Sequence, residues 1–198
     1  MITALLLIFD PSGTWERIGL TLRHRVWRVF LSYVLPLLLL SNAVEALGLL
    51  KLGMNEEGLV SRTLKPTENL VTRYQGTQVV MDLLIIFVGA WFLQKIGEGF
   101  HRRHTYSECF ATLGYSLGPL FLLRLLDAVP AINTWICYGL GALLSAAALY
   151  RGIPRVMKPD PSNALGVYLL SSLVIIALIG IGHFLAVQVL EEKILVAH

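Results

Sequence analysis

Residues 164–190 read ALGVYLLSSLVIIALIGIGHFLAVQVL, and this stretch contains no Asp, Glu, Lys or Arg. As a helix it measures about 40 Å, whereas roughly 20 apolar residues are enough to cross a bilayer core about 30 Å thick. Inside lipid every backbone N–H and C=O group needs a partner within its own segment, and a helix supplies those partners. The stretch therefore predicts a membrane-spanning helix.

The composition of the whole chain indicates several such helices. Of its 198 residues, 56% are hydrophobic and only 15% are charged, against about 25% charged in an ordinary soluble domain. The mean hydropathy is +0.68. We expect a single all-α membrane domain over residues 1–198: a polytopic bundle of five transmembrane helices at 29–190, an N-terminal interfacial segment at 1–28 and an outer loop at 51–78. The predicted spans are Val29–Leu50, Val79–Gly99, Ser107–Asp127, Ile132–Tyr150 and Ala164–Leu190.

The distribution of basic residues predicts the orientation of the bundle. Apart from Arg124, ten Lys and Arg residues lie before span 1 or in the loops on the same side, and five lie on the opposite side. Loops rich in Lys and Arg stay in the cytoplasm. We therefore expect a cytoplasmic N-terminus and an external C-terminus. The basic residues border apolar runs, which favours lipid headgroups over nucleic acid as their partner.

A short amphipathic helix is predicted before span 1, in SGTWERIGLTLRHRVW at 12–27. Trp15, Ile18 and Leu22 follow one another at helical spacing, and Arg17 falls elsewhere on the helical wheel. Trp and Arg together are typical of helices that lie at the headgroup level. We expect Trp15, Arg17 and Ile18 to anchor the segment at the membrane surface; a partner-binding helix is the alternative.

Residues 114–118, GYSLG, match two motifs at once. As Gly-x-Ser-x-Gly they resemble the nucleophile elbow of serine hydrolases, in which a strand turns sharply into a helix. As Gly-x-x-x-Gly they are typical of close packing between membrane helices. The residues before Ser116 are helical rather than a strand, so we expect Gly114 and Gly118 to form a packing face. Pro119 cannot donate to the carbonyl of Tyr115, which predicts a kink.

A membrane serine protease would require a base for Ser116, and His183 is the candidate. Ser116 lies about 13 Å from the inner surface and His183 about 28 Å, at 1.5 Å per helical residue. A nucleophile and its base must approach to about 3 Å. We therefore expect no catalytic residues and no enzymatic activity.

Glu45, Asp82, Arg124 and His183 are ionisable residues within the predicted spans. Alternating span directions place all four in the outer third of the bilayer. We expect Arg124 to neutralise Glu45 or Asp82, and His183 to hydrogen-bond either carboxylate. Two interpretations remain open for this intramembrane polar cluster: an ion pair that fixes helix order, or a path or site for a solute or proton.

Other candidate sites carry less support. His101 and His104 have helical spacing, but Arg102 and Arg103 between them oppose a bound cation, so we predict no metal site. The chain has no phosphate-binding or dinucleotide motif, and we expect no cofactor. Cys109 and Cys137 are placed near opposite ends of neighbouring spans, which predicts no disulfide.

The stretch LGYSLGPL at 113–120 resembles the Gly-Tyr-x-x-x-Pro signature of the Yip family, the Ypt/Rab-interacting membrane proteins, at Gly114, Tyr115 and Pro119. DPSGTWERI, LYRGIPRVMK and NALGVYLL are similar to features of the family's compact bacterial branch. The resemblance covers residues 10–185 and implies a five-span membrane domain. For a bacterial member it also implies location in the inner membrane.

The eukaryotic Yip members imply a role in vesicle traffic and contact with lipidated Rab-type GTPases. This chain has only some 28 residues before span 1, which argues against GTPase binding. We expect a non-enzymatic Yip-type protein that acts in membrane organisation or protein–protein interaction, with a membrane protein or a second copy as partner. The alternative is a small transporter or channel for a solute, ion or proton.

Overall fold

The apolar runs fold as helices in the computed structural model of the chain, which describes residues 2–20, 26–55, 63–64, 66–100, 104–129, 132–160 and 162–196. Within those ranges, five helices are long and apolar enough to cross a membrane. We call them spans 1 to 5; their bounds are Val26–Lys51, Glu68–Gly99, Tyr106–Ala128, Thr134–Val156 and Ala164–Val189. The fold is thus the expected all-α polytopic bundle.

Local sequence signals begin two of the spans. Before span 3, the Thr105 hydroxyl accepts a hydrogen bond from the Glu108 N–H, and the Glu108 carboxylate accepts one from the Thr105 N–H. This reciprocal pair is a capping box, which satisfies two backbone donors at the start of a helix. At span 4, the Asn133 side chain accepts a hydrogen bond of 2.8 Å from the Trp135 N–H.

Two spans depart from regular α-helix, and the irregular segments face each other. Span 1 contains a π-helical turn over Phe30–Val34. Span 3 is divided into α-helices over Tyr106–Ser116 and Gly118–Arg124, followed by a 3-10 turn over Leu125–Ala128. Span 3 is also the most buried, with 72% of its apolar window inside the protein, whereas span 5 has 28%. Span 3 therefore forms the centre of the bundle, and span 5 faces mainly outward.

Two predicted boundaries were wrong. Span 2 begins at Glu68, inside the segment expected to be an outer loop, because Tyr74 and Gln78 in this part of the helix are buried in the protein. Span 4 continues to Val156, beyond its predicted end at Tyr150, and includes Pro154. Since Pro154 lies in the last turn, its missing N–H removes a single helical hydrogen bond near the end of the helix.

The N-terminal region forms two short helices, α1 over Ile2–Phe9 and α2 over Pro11–Leu20. Helix α1 packs against the second half of span 3, and α2 packs against span 4. Strands β1, Met54–Asn55, and β2, Thr63–Leu64, pair antiparallel after span 1. The N-terminal helices thus belong to the bundle and bury Ala4 and Leu7 against it.

Candidate functional site

Arg124 lies at the centre of a buried ionic site. Its side chain has no exposed surface, and it bonds two carboxylates from two other spans. One terminal nitrogen, Nη1, is 2.5 Å from Asp82 Oδ2, and the other, Nη2, is 2.8 Å from Glu45 Oε2. The structure therefore brings together three of the four residues of the intramembrane polar cluster. A single guanidinium joins spans 1, 2 and 3.

Neutral side chains extend this site into a network. Asn42 donates to Asp82 Oδ2 at 3.4 Å and accepts from Arg124 at the same distance. The Tyr74 hydroxyl donates to Glu45 Oε1 at 2.6 Å. Gln78 Nε2 donates to the hydroxyl oxygens of Tyr74 and Tyr138, each at 2.8 Å. We define the buried polar network by its seven members: Asn42, Glu45, Tyr74, Gln78, Asp82, Arg124 and Tyr138.

Sequence reasoning missed the neutral members of the network. One signal was present, because Tyr74, Gln78 and Asp82 recur every four residues and so lie on one face of a helix. The polarity of residues 68–78 had instead predicted a loop. In the structure Tyr74 bonds Glu45 and Gln78 bonds Tyr138, so these two side chains face the protein interior, which makes this part of the segment compatible with a spanning helix.

His183 does not make the hydrogen bond to a carboxylate that the sequence predicted. Its ring stacks on Tyr138 with centroids 3.6 Å apart and meets the edge of Trp135 at 4.6 Å. Both ring nitrogens are buried without a hydrogen-bond partner. The Tyr138 ring also lies 5.4 Å from the guanidinium carbon of Arg124. His183 is therefore next to the network through an aromatic contact and not bonded into it.

The network carries unequal numbers of opposite charges. Glu45 and Asp82 are 1% and 4% exposed, and both carboxylates pair with the same guanidinium, that of Arg124. With His183 neutral, the ionised groups sum to minus one. Removing one partner of a buried ion pair costs about 3–5 kcal/mol, because the other charge is left without compensation. The arrangement can therefore tie three helices together, and it leaves one negative charge that no described side chain cancels.

The Gly-Tyr-x-x-x-Pro segment lies against the π-helical turn of span 1. The Tyr33 hydroxyl donates to the Tyr115 carbonyl at 3.4 Å, and the two rings are 4.5 Å apart. A Cβ atom at Gly118 would overlap the Tyr33 hydroxyl. At Gly114 it would come within 3.1 Å of Val34. Gly114 and Gly118 thus face span 1 and allow the two irregular helices to approach closely.

The serine of this motif is not arranged for catalysis. Ser116 is buried and donates its hydroxyl hydrogen to the Thr112 carbonyl, at 2.7 Å, within its own helix. Neither nitrogen of His183 has a hydrogen-bond partner. A nucleophilic serine needs a base within hydrogen-bonding distance. The described residues therefore contain no Ser116–His183 pair.

The N-terminal anchor residues are placed differently from the expectation. Trp15 has no exposed surface and Ile18 is 7% exposed. The Trp15 indole packs on Gly152 of span 4 and meets the Tyr115 ring at 6.4 Å in a T-shaped contact. Arg17 is exposed. Helix α2 is amphipathic as predicted, but Trp15 and Ile18 contact protein, because span 4 presents a glycine that leaves space for the indole.

The remaining ligand candidates do not assemble into a metal centre. Across the described ranges, no three His, Cys, Asp or Glu side chains are grouped as metal ligands. His104 is buried against Gly97, and His101 lies outside the described residues. Cys109 and Cys137 are both free thiols.

Comparison with protein families identifies the family of the chain. The family model described as the Yip1 domain matches residues 5–182, a range that includes part of α1, all of α2, the Gly-Tyr-x-x-x-Pro segment and span 5 as far as residue 182. No curated protein and no solved structure matches the chain. Because the match covers nearly the whole sequence, the chain belongs to the Yip1 domain family of membrane proteins.

Proposed function

We propose that this Yip1-family protein acts without catalysis in membrane organisation, through contacts with another membrane protein or a second copy of itself. The observation that carries this proposal is the inward placement of Arg124, Glu45 and Asp82. Arg124 donates hydrogen bonds to both Asp82 and Glu45, so these charged groups are bonded within the protein. The surfaces left for a partner within the bilayer are apolar and include Leu143 and Leu173, which are 62% and 66% exposed.

Photo-crosslinking in native membranes tests this proposal. A photoreactive amino acid replaces Leu143 or Leu173, and the same substitution at Leu120, which is 2% exposed, serves as the buried control. We expect discrete protein adducts from the exposed positions and none from Leu120. Mass spectrometry then distinguishes a second copy from another protein. Adducts with lipid alone at both exposed positions would contradict the proposal.

The second candidate function is a small transporter or channel for a solute, ion or proton. The uncompensated negative charge of the buried polar network favours it, because ionisable groups within spans commonly mark solute pathways. Asp82→Asn or Glu45→Gln is then expected to abolish flux into liposomes at unchanged protein level. If the amount of protein in the membrane falls in parallel with flux, the two carboxylates act as structural groups.

We also propose that the protein resides in a bacterial inner membrane with its N-terminus in the cytoplasm and its C-terminus outside. The Lys and Arg bias between the loops supports this orientation. Exposed Arg28 and Lys158, near the ends of spans 1 and 4, belong to the side with more positive charge. Anionic headgroups of the inner leaflet are the partner that this charge fits.

A further inference from the structure

We propose that the buried polar network is a binding site for one positive charge, either a proton or a small monovalent cation. The inference deepens the second candidate function, since it rests on the same residues, but it requires binding and not flux. The first observation is the charge balance of the network. Two carboxylates, each less than 5% exposed, share one guanidinium within the membrane-spanning part of the bundle.

Neutral hydrogen bonds moderate the excess charge but do not cancel it. Tyr74 donates to Glu45, and Asn42 donates to Asp82. These hydrogen bonds come from neutral groups, so they stabilise the carboxylates without changing the net charge that burial removes from water. A bound positive charge compensates that net charge, because the ionised groups then sum to zero.

Unpartnered polar atoms in the buried polar network and on the adjacent His183 ring provide an independent observation. Arg124 Nε and both nitrogens of His183 are buried and form no hydrogen bond, and His183 is 2% exposed. Buried polar atoms in proteins are ordinarily bonded to protein or to ordered water. The acceptor nitrogen of a neutral His183 ring fits a hydrogen donated by a protonated water or by the hydration shell of a cation, whereas Arg124 Nε, which is a donor, fits the oxygen of an ordinary ordered water.

Titratable groups from all five spans face the site. Span 1 contributes Glu45, span 2 contributes Tyr74 and Asp82, and span 3 contributes Arg124. Cys137 and Tyr138 of span 4 and His183 of span 5 complete the set. Asp127, partly exposed at the outer end of span 3, accepts a hydrogen bond from Thr134 at 2.8 Å. Arg124 bonds one oxygen of each of two carboxylates, so Glu45, Asp82 and Arg124 together leave one negative charge, which one proton or one monovalent cation balances.

The test uses purified full-length protein in detergent and measures the midpoint of thermal unfolding. In the cation arm, sodium or potassium chloride replaces N-methylglucamine chloride at constant ionic strength. In the proton arm, pH is varied in N-methylglucamine chloride alone. A ligand that binds only the folded state raises the midpoint. We expect the midpoint of the unmodified protein to rise with the alkali cation, or to rise as pH falls from alkaline to neutral.

Variants that remove one carboxylate charge test whether the shift of the unfolding midpoint, with alkali cation or with pH, arises at this site. Asp82→Asn retains the Arg124–Glu45 pair and brings the network to zero net charge, so we expect a folded protein without the response. Glu98→Gln, at an exposed carboxylate paired with Lys95, should retain it. Infrared spectroscopy of the unmodified protein adds a readout that needs no variant: a protonated carboxyl band at neutral pH identifies the proton, and its absence with a sodium response identifies the cation.

Two results would overturn the inference. One is a midpoint in the unmodified protein that responds to neither alkali cation nor pH, with no protonated carboxyl band. The other is a response that persists undiminished in Asp82→Asn. Binding without flux into liposomes would keep the site and remove the transport candidate, so the two proposals fail separately.

Discussion

The hydroxyl of Tyr33 in span 1 donates a hydrogen bond to the carbonyl of Tyr115 in span 3. Pro119 follows Tyr115 by four residues and has no N–H, so the usual helical donor to that carbonyl is missing. The π-helical turn over Phe30–Val34 contains Tyr33, and it is directed at the break in span 3. Single π-helical turns within α-helices frequently occur at functional sites. The π-helical turn of span 1 therefore supplies a hydrogen-bond donor for the carbonyl that Pro119 leaves without its helical donor in span 3.

We expect Gly118→Ala to destabilise the protein by about 1–3 kcal/mol, the usual cost of adding a group to a filled interior. The added methyl would overlap the Tyr33 hydroxyl. Gly180→Ala is the matched control, because nothing lies within 4 Å of a Cβ atom there, and its stability should be unchanged or slightly higher. Thermal unfolding in detergent measures both variants. Tyr33→Phe should relieve much of the Gly118→Ala penalty, since it removes the overlapping oxygen.

Arg124→Leu should be among the most damaging single substitutions, with a loss of about 3–5 kcal/mol, because it leaves two buried carboxylates without a counter-charge. Combining it with Glu45→Gln and Asp82→Asn should recover most of that loss. The free energy of unfolding of the single, double and triple variants measures the coupling. Additive losses would show that the three side chains act independently.

Trp15→Ala should lower stability by about 3 kcal/mol, as expected for deleting a buried aromatic ring. Trp27 is the matched control, because its indole is 66% exposed and Trp27→Ala should cost less than about 1 kcal/mol. We also expect Trp15→Ala to increase proteolysis of the N-terminal helices. Equal behaviour of the two variants would mean that Trp15 acts only as a membrane-surface anchor.

Ser116→Ala should leave stability and any biological activity nearly unchanged, since the hydroxyl bonds only a carbonyl of its own helix. A fluorophosphonate probe should fail to label the unmodified protein. Labelling that is lost in Ser116→Ala would identify a serine hydrolase and contradict the non-catalytic proposal.

The proposed orientation can be measured at the two ends of span 2. Glu68 and Glu98 are both exposed and lie near opposite ends of the same helix. In a background without Cys109 and Cys137, a membrane-impermeant maleimide should label Glu68→Cys in intact cells. It should label Glu98→Cys only after the membrane is permeabilised. The reverse pattern would place the N-terminus outside.

Hydropathy located the spans well wherever their residues face lipid or a uniformly apolar interior. It failed at the start of span 2, which was predicted at Val79 and begins at Glu68. Tyr74 and Gln78 lie in the missed part. Their polar atoms are tolerated inside the bundle because Glu45 and Tyr138 bond them. A hydropathy sum scores each residue as if it faced lipid, so it penalises a polar group whose partner lies on another helix.

The amphipathic pattern around Trp15 shows a second limit. Its spacing predicted a helix, and α2 covers Pro11–Leu20. The same apolar stripe fits a headgroup layer or a protein surface equally well. The choice depends on the space above Gly152 in span 4, which is distant in sequence and becomes a neighbour only in the folded bundle.

The sequence by itself determined the membrane class, the five spans and the family, because these depend on long apolar runs and on short motifs that are local in the chain. Only the tertiary structure decided that Arg124 bonds the carboxylates of both Glu45 and Asp82. It also decided that His183 stacks on Tyr138 and that the Tyr33 hydroxyl donates to the Tyr115 carbonyl. These contacts depend on the depth and rotation of each helix relative to the others. Small changes in rotation exchange one partner for another without altering the hydropathy of any segment.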